Sequence, residues 1–239
     1  MADMEYGLDA RGGAERVVAC AAFDTARSDA ARRLSEDFAQ ALAAYEELSS
    51  SRLSHPSPRL TAAQIDCAQT PPAGSDGSDP AGGRPLERLV VIAGDPAGAL
   101  SDAGRALARL ADGGRIAAST RIWGIVVSDR LRPDDAAAAL AAFGGSFEQK
   151  RATWMGGVAV GGAPLSLPEA GRPRMGRLRE RASVAIDGLV GAVRCGVSLD
   201  EAASLFGFES DRGVLAAPIG ISGAEYRLRA RADRRRRTC

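Results

Sequence analysis

The chain is poor in the residues and motifs on which most enzyme classes depend. Lys150 is its only lysine, His55 is its only histidine, and aromatic residues make up 5% of the 239 positions. The four cysteines are widely scattered and form no Cys-x-x-Cys pair, which argues against a zinc or iron–sulfur site. With no Gly-x-Ser-x-Gly motif and one histidine in a polar loop, a Ser-His-Asp hydrolase is unsupported. We therefore predict no catalytic residue of the titrating kind and no metal ligand.

Long apolar runs and a one-sided charge are also missing. No stretch approaches the ~20 apolar residues that a helix needs to cross a bilayer. Residues 1–15 are polar and of mixed charge, unlike a signal peptide. The net charge of +1 argues against nucleic acid as a partner. We expect a cytoplasmic protein that does not associate with membranes.

What the sequence does contain is a regular alternation of apolar and amphipathic segments. Helical patterns run between short apolar runs, and most of these runs are continuously apolar, as in strands that are covered on both faces. This order predicts an α/β fold, a three-layer α/β/α sandwich with a five-stranded parallel sheet. The predicted strands are 16–22, 64–68, 89–94, 122–128 and 154–160; the predicted helices are 29–48, 101–112, 133–147, 177–195 and 198–206.

The remaining segments define the domain organisation. We predict a flexible N-terminus over residues 1–15, a single domain over 16–228 and an Arg-rich tail over 229–239, with a solvated helix at 226–237. Residues 69–86 are expected to form a mobile insert, and 49–59 and 161–174 to form loops. Ser198 and Glu201 have the spacing of a capping box. Trp123 and Trp154 lie at strand starts and are expected to pack in the core or an interface.

The first predicted strand-to-helix turn carries the stretch FDTARS, residues 23–28. Neither Gly-x-Gly-x-x-Gly nor Gly-x-x-x-x-Gly-Lys-Ser/Thr is present. Hydroxyl groups and the free N–H groups of a helix N-terminus can together hold a phosphate. The same polar residues can instead cap the helix and bind nothing. Both interpretations remain open at this point.

The same stretch resembles the flavodoxin phosphate loop, [ST]-x-T-G-x-[TS]. Thr25 and Ser28 match, whereas Ala26 replaces the glycine and Phe23 the first hydroxyl residue. Further along, RIWGIVVSD, WMGGVAVGGAPLSL and AAPIGISGAEYRL resemble, in order, segments of flavodoxin-like proteins related to NAD(P)H-dependent FMN reductases. The resemblance implies a flavodoxin-like fold, FMN as cofactor, NAD(P)H as co-substrate, a small-molecule acceptor or redox partner, and a homodimer. The function that it implies is electron transfer from NAD(P)H through FMN to that acceptor.

The resemblance also implies a site at the carboxyl ends of three strands. Hydride would pass from NAD(P)H to the flavin, and the protein would supply orientation rather than a titrating catalyst. Asp95 and Asp129 are the only acids at the two ring-binding edges, and each can equally be a turn or cap residue. The implied cofactor-binding residues are Asp24, Thr25, Ala26, Arg27 and Ser28 for the phosphate, Gly94, Asp95, Pro96, Ala97 and Gly98 for one ring face, and Ser128, Asp129 and Arg130 for the other.

Two other hypotheses stand beside this one. The loops at 94–100 and 128–132 lack an aromatic residue to stack on a flavin, and the phosphate loop lacks its glycine. These departures favour a degenerate flavodoxin-fold module that serves in binding or regulation and no longer binds flavin. In a third hypothesis, the Arg-rich tail contacts nucleic acid or an anionic membrane.

Overall fold

In the computed structural model, the chain forms one parallel sheet with helices on both of its faces. The structure describes residues 16–24, 29–50, 59–65, 85–147, 152–166, 178–206 and 209–237. The predicted flexible N-terminus lies outside these residues, as does the predicted insert except for residues 85 and 86.

Six strands lie in the order β2-β1-β3-β4-β5-β6, and each neighbouring pair is parallel. The strands are β1 (Arg16–Phe23), β2 (Leu60–Gln64), β3 (Arg88–Ala93), β4 (Arg121–Val127), β5 (Thr153–Val160) and β6 (Val214–Ala217). The helices are α1 (Ala30–Ser50), α2 (Gly98–Asp112), α3 (Asp134–Gly145), α4 (Ala163–Ser166), α5 (Glu180–Cys195), α6 (Leu199–Phe206) and α7 (Gly223–Arg237).

The predicted α/β class is confirmed, but the described residues form a sheet of six strands rather than five. The sequence analysis did not identify β6, because VLAA is only four residues long and runs directly into Pro218. The second strand was predicted at 64–68, and the structure places it at Leu60–Gln64. Most side chains of β2 are exposed at the edge of the sheet, so this strand has no apolar run to reveal it. The predicted loop at 161–174 contains the short helix α4.

The strands bury both faces, and successive side chains separate into two cores. Val90 and Ile92 of β3 pack with α1 and α5, whereas Leu89 and Val91 pack with α2. Every residue of β3 is buried, which explains why this strand was readable as a continuous apolar run. The helices α1 and α5 therefore cover one face of the sheet, and α2 and α3 cover the other.

Two ion pairs join α1 to α5 across the first of these cores. Asp37 and Arg179 form a buried pair, with both side chains less than one tenth exposed. Further along the two helices, Arg194 Nε donates to Glu46 Oε1 at 2.8 Å. Because each pair connects residues more than 140 positions apart, they fix the relative position of the first and fifth helices.

The two tryptophans pack against the core, as predicted from their positions at strand starts, Trp123 within it and Trp154 partly buried at its margin. Trp123 is fully buried between the sheet and α5. Trp154 lies beside Phe143 and Phe147, with ring centroids at 6.0 and 6.1 Å. Its indole covers Gly144 of α3, where a Cβ atom would lie only 2.3 Å from Trp154 Nε1. The indole therefore lies where a side chain at position 144 would need space.

The connection between α5 and α6 is set by local sequence. Gly196 ends α5 in the left-handed region at φ +67°, and its N–H donates to the last turn of the helix. The predicted capping box is confirmed: Glu201 N donates to Ser198 Oγ at 3.2 Å, and Ser198 N donates to Glu201 Oε2 at 2.8 Å. The Ser198 hydroxyl also donates to Glu201 Oε2 at 2.9 Å. The bonds that the Ser198 N–H and hydroxyl donate to this carboxylate lower the pKa of Glu201.

Among the helices of the described residues, no single one is long and apolar enough to span a bilayer. The bent pair α5 and α6, taken together, matches a span in length and composition only. At the C-terminal end, α7 runs through the predicted boundary between the domain and the Arg-rich tail at residues 228 and 229.

Candidate functional site

The candidate site lies at the edge of the sheet where the parallel strands end. From β1 the chain turns into α1 on one face, and from β3 it turns into α2 on the other. The strand order reverses direction between these two neighbours, which is where open α/β sheets hold their ligands. The described parts of the three implied loops, Asp24 after β1, residues 94–98 after β3 and residues 128–130 after β4, lie at this edge. Of the implied phosphate residues, Thr25, Ala26, Arg27 and Ser28 lie outside the described residues, and Asp24 lies within them.

Asp24 binds the N-terminus of α1 with its own carboxylate. Ala31 N donates to Asp24 Oδ1 at 2.7 Å, and Arg32 N donates to Asp24 Oδ2 at 3.1 Å. Ala31 and Arg32 are the second and third residues of the helix, so their N–H groups are among those that no helical carbonyl can accept. In a phosphate site these N–H groups would face the ligand. Here a carboxylate of the protein takes that place.

Gly94, which follows β3, leaves room for the Asp24 carboxylate to reach the N-terminus of α1. Its N–H donates to the Phe23 carbonyl at 2.8 Å, which continues the β1–β3 ladder by one bond. A Cβ atom at Gly94 would lie 2.9 Å from Asp24 Oδ1 and 3.5 Å from Ala31 N. Because Gly94 has no side chain, there is room beside it for the Asp24 carboxylate. The Asp24 carboxylate therefore lies against Gly94, at the crevice between the ends of β1 and β3.

Asp95 caps the second helix that begins at this edge. Gly98 N donates to Asp95 Oδ2 at 2.7 Å, at the start of α2. This bond agrees with the cap interpretation of Asp95. Pro96 is partly buried, whereas Ala97 and Gly98 are exposed. At both helices beside the crevice, α1 and α2, N–H groups of the first turn therefore donate to a carboxylate of the protein.

The residues that follow β5 donate hydrogen bonds to the backbone of the loop after β4. Ser128 is buried, and its hydroxyl accepts from Arg130 N at 3.1 Å. Gly162 N donates to the Arg130 carbonyl at 2.6 Å, and Ala163 N donates to the Ser128 carbonyl at 3.0 Å. The side chains of Asp129 and Arg130 are exposed, and Arg130 pairs with Asp135 of α3. These hydrogen bonds fix the backbone of the loop, and its exposed residues Asp129, Arg130 and Arg132 are all charged.

An aromatic residue that sequence reasoning did not place at the site comes from the C-terminal helix. The Tyr226 hydroxyl donates to the Asp129 carbonyl, and the Tyr226 side chain is partly buried. Just before α7, Ile219 N donates to the Leu131 carbonyl at 3.4 Å. The two residues Asp129 and Tyr226 are 97 positions apart, so no local pattern joins them. The only signal was the resemblance of the segment that contains this tyrosine to a closing segment of the flavodoxin-like group.

A cavity of about 820 Å³ opens at the same edge, on the β2 side of β1. It exists because β1 continues past the last bond to β2, in which Ile65 N donates to the Cys20 carbonyl at 2.9 Å. Phe23 and Ile65 contribute apolar surface, while α1 and α2 contribute charged side chains of both signs. The charged residues are Asp24, Arg32, Glu36, Asp102, Arg105 and Arg109.

The charges around this cavity are largely compensated. Arg32 pairs with Asp29 and Glu36, and Arg105 pairs with Asp102. The hydrogen bond from Arg33 lowers the pKa of Asp29, which keeps that carboxylate ionised. Within the described parts of the chain, no group of three His, Cys, Asp or Glu residues is arranged to hold a metal ion.

Comparison with known proteins assigns neither a family nor a function to this arrangement of residues. No protein-family model matches the chain, and no curated protein matches it significantly in sequence. The fold and the contacts of the site are therefore the observations from which function has to be argued.

Proposed function

We propose that the chain is a binding or regulatory module of flavodoxin-like topology that does not hold a flavin phosphate at its first helix. The observation that carries this proposal is the Asp24 carboxylate on the N–H groups of Ala31 and Arg32. Those donors are the ones that would recognise a phosphate at this helix. Since they are already bound, a phosphate there would have to displace a side chain of the protein.

Electrostatics adds to this competition. Two unit negative charges at about 4 Å repel by about 1 kcal/mol in bulk water and by about 4 kcal/mol near a protein surface. A helix N-terminus gains only about 0.3–1 kcal/mol from a nearby exposed anion. The repulsion between Asp24 and a phosphate is therefore at least as large as the attraction that the helix offers. Asp24 and the two N–H groups that it binds therefore do not fit the phosphate of FMN.

The cavity beside β1 supports a different class of ligand for the module. Its charged lining contains three carboxylates and three guanidinium groups, so it favours neither sign. Pockets of this size with a partly apolar lining are typical of small-molecule sites. We infer a polar ligand without a strong net charge, in place of a phosphorylated cofactor.

The test compares phosphate binding by the full chain and by two matched variants. Asp24→Ser removes the carboxylate from α1, and Asp95→Ser removes the neighbouring carboxylate that caps α2. We expect the unaltered protein to leave FMN fluorescence unquenched and its Tm unchanged by inorganic phosphate. Asp24→Ser should be stabilised by phosphate, because a ligand that binds only the folded state raises the Tm. Asp95→Ser should behave like the unaltered protein.

Two results would contradict the proposal in different ways. A protein that purifies yellow, or that quenches FMN at micromolar concentration, would show that flavin binds despite Asp24. A phosphate response that is equal in all three proteins would show that Asp24 is not what excludes the phosphate.

A second candidate function is the FMN-dependent oxidoreductase with NAD(P)H as co-substrate and a homodimeric assembly. Two observations favour it. The order β2-β1-β3-β4-β5 is that of the flavodoxin sheet, and Tyr226 lies on the loop implied for one ring face. Consumption of NADPH or NADH that depends on added FMN would support this candidate over the first, and size-exclusion chromatography would test the dimer.

A further inference from the structure

We propose that α7 is a polyanion-binding helix that contacts the phosphate backbone of nucleic acid. The proposal goes beyond the proposed function and does not depend on what binds at the edge of the sheet. Its starting point is how charge is distributed. Residues 223–237 contain seven arginines and two acidic residues, a net charge of +5, in a chain whose net charge is +1. The remainder of the chain therefore carries −4. The small overall charge is the sum of a basic helix and an acidic remainder.

The helix is attached to the domain through its first turn. Glu225 N donates to Ser222 Oγ at 3.2 Å, and Tyr226 N donates to the Ser222 carbonyl at 2.9 Å, so Ser222 caps α7. The Tyr226 hydroxyl then fixes this turn to the Asp129 carbonyl. A capped and tethered first turn gives the rest of the helix a defined direction from the domain.

Beyond this turn, the side chains that the structure describes face solvent. Arg227, Arg229 and Arg231 are exposed, and the Leu228 side chain is 69% exposed. Arg229 forms an ion pair with Glu225 at 2.7 Å, and Arg227 and Arg231 add two further exposed positive charges. The surface that α7 offers to a partner is therefore cationic.

The helical repeat places four of the seven arginines on one side of α7. Positions 227, 231, 234 and 235 follow the i, i+4, i+7, i+8 spacing of a single helix face. At 1.5 Å per residue this face is about 12 Å long. A duplex carries one phosphate charge per about 1.7 Å of axis, so about seven phosphates lie along that length. Guanidinium groups also bind phosphate through two parallel hydrogen bonds, which makes arginine well suited to this contact.

An anionic membrane fits α7 less well than nucleic acid does. Helices that lie in a membrane surface need a broad face of bulky apolar side chains. Tyr226 and Leu228 are the only large apolar residues of α7, and the Tyr226 hydroxyl is already bound to the domain. The helix thus offers charge without an apolar face.

The experiment measures binding of the full chain to a labelled DNA duplex of arbitrary sequence by fluorescence anisotropy, over a range of salt concentrations. We expect a Kd of about 10⁻⁴ to 10⁻⁶ M at physiological salt, which is usual for contacts to the backbone alone. Neutralising four phosphates gives a slope of log K against log salt of about −3.6, so affinity should fall about 150-fold between 50 and 200 mM.

Three matched variants separate α7 from charge in general. The α7 variant changes Arg227, Arg231, Arg234 and Arg235 to Gln, and should lose binding and most of the salt slope. The domain variant changes the exposed residues Arg16, Arg59, Arg181 and Arg212 to Gln, has the same net charge of −3, and should still bind. Changing the four α7 residues to Lys should retain binding, since the charge remains.

The outcomes that would overturn the proposal are specific. No binding by the unaltered protein at low salt would identify α7 as a solvated end. Equal losses in the α7 and domain variants would assign the effect to total charge. Binding to phosphatidylserine vesicles without binding to duplex would assign the helix to a membrane. Circular dichroism of each variant checks that loss of binding is not loss of folding.

Discussion

Gly144 and Gly145 are adjacent glycines at the end of α3 for which the structure predicts opposite effects of the same substitution. A Cβ atom at Gly144 would lie 2.3 Å from Trp154 Nε1 and 2.5 Å from Trp154 Cε2, whereas one at Gly145 would meet no atom within 4 Å. Ordinary Cβ contacts begin at 3.4 Å, so Gly144→Ala requires the indole to move by about 1 Å. The Phe143 and Phe147 rings beside the indole limit that movement.

The magnitude follows from two opposing effects. Replacing a glycine by alanine within a helix stabilises by about 1 kcal/mol. Inserting a methyl group into packed surroundings costs about 1–3 kcal/mol. Gly144→Ala should therefore lower the free energy of unfolding by up to about 2 kcal/mol, which corresponds to a Tm lower by about 4–8 °C at about 2–4 °C per kcal/mol. Gly145→Ala should be neutral or stabilise by up to about 1 kcal/mol.

Urea unfolding followed by circular dichroism measures both variants, and a double-mutant cycle identifies the cause. In a Trp154→Leu background the indole is gone, so Gly144→Ala should become neutral or stabilising there. The packing argument is refuted if Gly144→Ala is as stable as Gly145→Ala, or if its cost is the same in both backgrounds.

Four further predictions concern single residues. Burial raises the pKa of Cys20 to about 12, so iodoacetamide at pH 8 should label the exposed Cys195 of the native protein and leave Cys20 unlabelled, as read by peptide mass spectrometry. The pKa of Glu201 is lowered from 4.5, so its stabilisation is present above that value and is lost as pH falls through the lower folded pKa; Glu201→Gln should remove this part of the acid dependence of urea unfolding. Ser198→Ala should cost about 1 kcal/mol in the same assay. Gly196→Ala should cost about 1–2 kcal/mol, because its φ of +67° is strained for alanine, and an unchanged stability would contradict this.

The edge of the sheet shows why its residues were only partly predictable. Asp24 was recognised as a polar residue of the first turn, and phosphate binding and capping were both open. Which one applies to Asp24 depends on where α1 begins relative to the end of β1, and on the absence of a side chain at Gly94 in a different loop. The spacing of residues along the sequence does not give the distance between the Asp24 carboxylate and the N-terminus of α1.

The sequence by itself determined the features that arise from neighbouring residues. Continuous apolar runs identified the central strands β1, β3, β4 and β5, since burial on both faces leaves no polar position. The spacing of Ser198 and Glu201 identified the start of α6, because both partners of a capping box lie within one turn.

Only the tertiary structure decided the features that depend on distant partners. The edge strands β2 and β6 are short and weakly patterned, and their pairing with β1 and β5 supplies the hydrogen bonds that define them as strands. The Tyr226 hydroxyl donates to the Asp129 carbonyl, 97 positions away in the sequence. The Trp154 indole of β5 lies against Gly144 of α3, where it leaves little space for a side chain. Such contacts are selected by how whole elements pack, and packing is a property of the assembled sheet and helices rather than of any single segment.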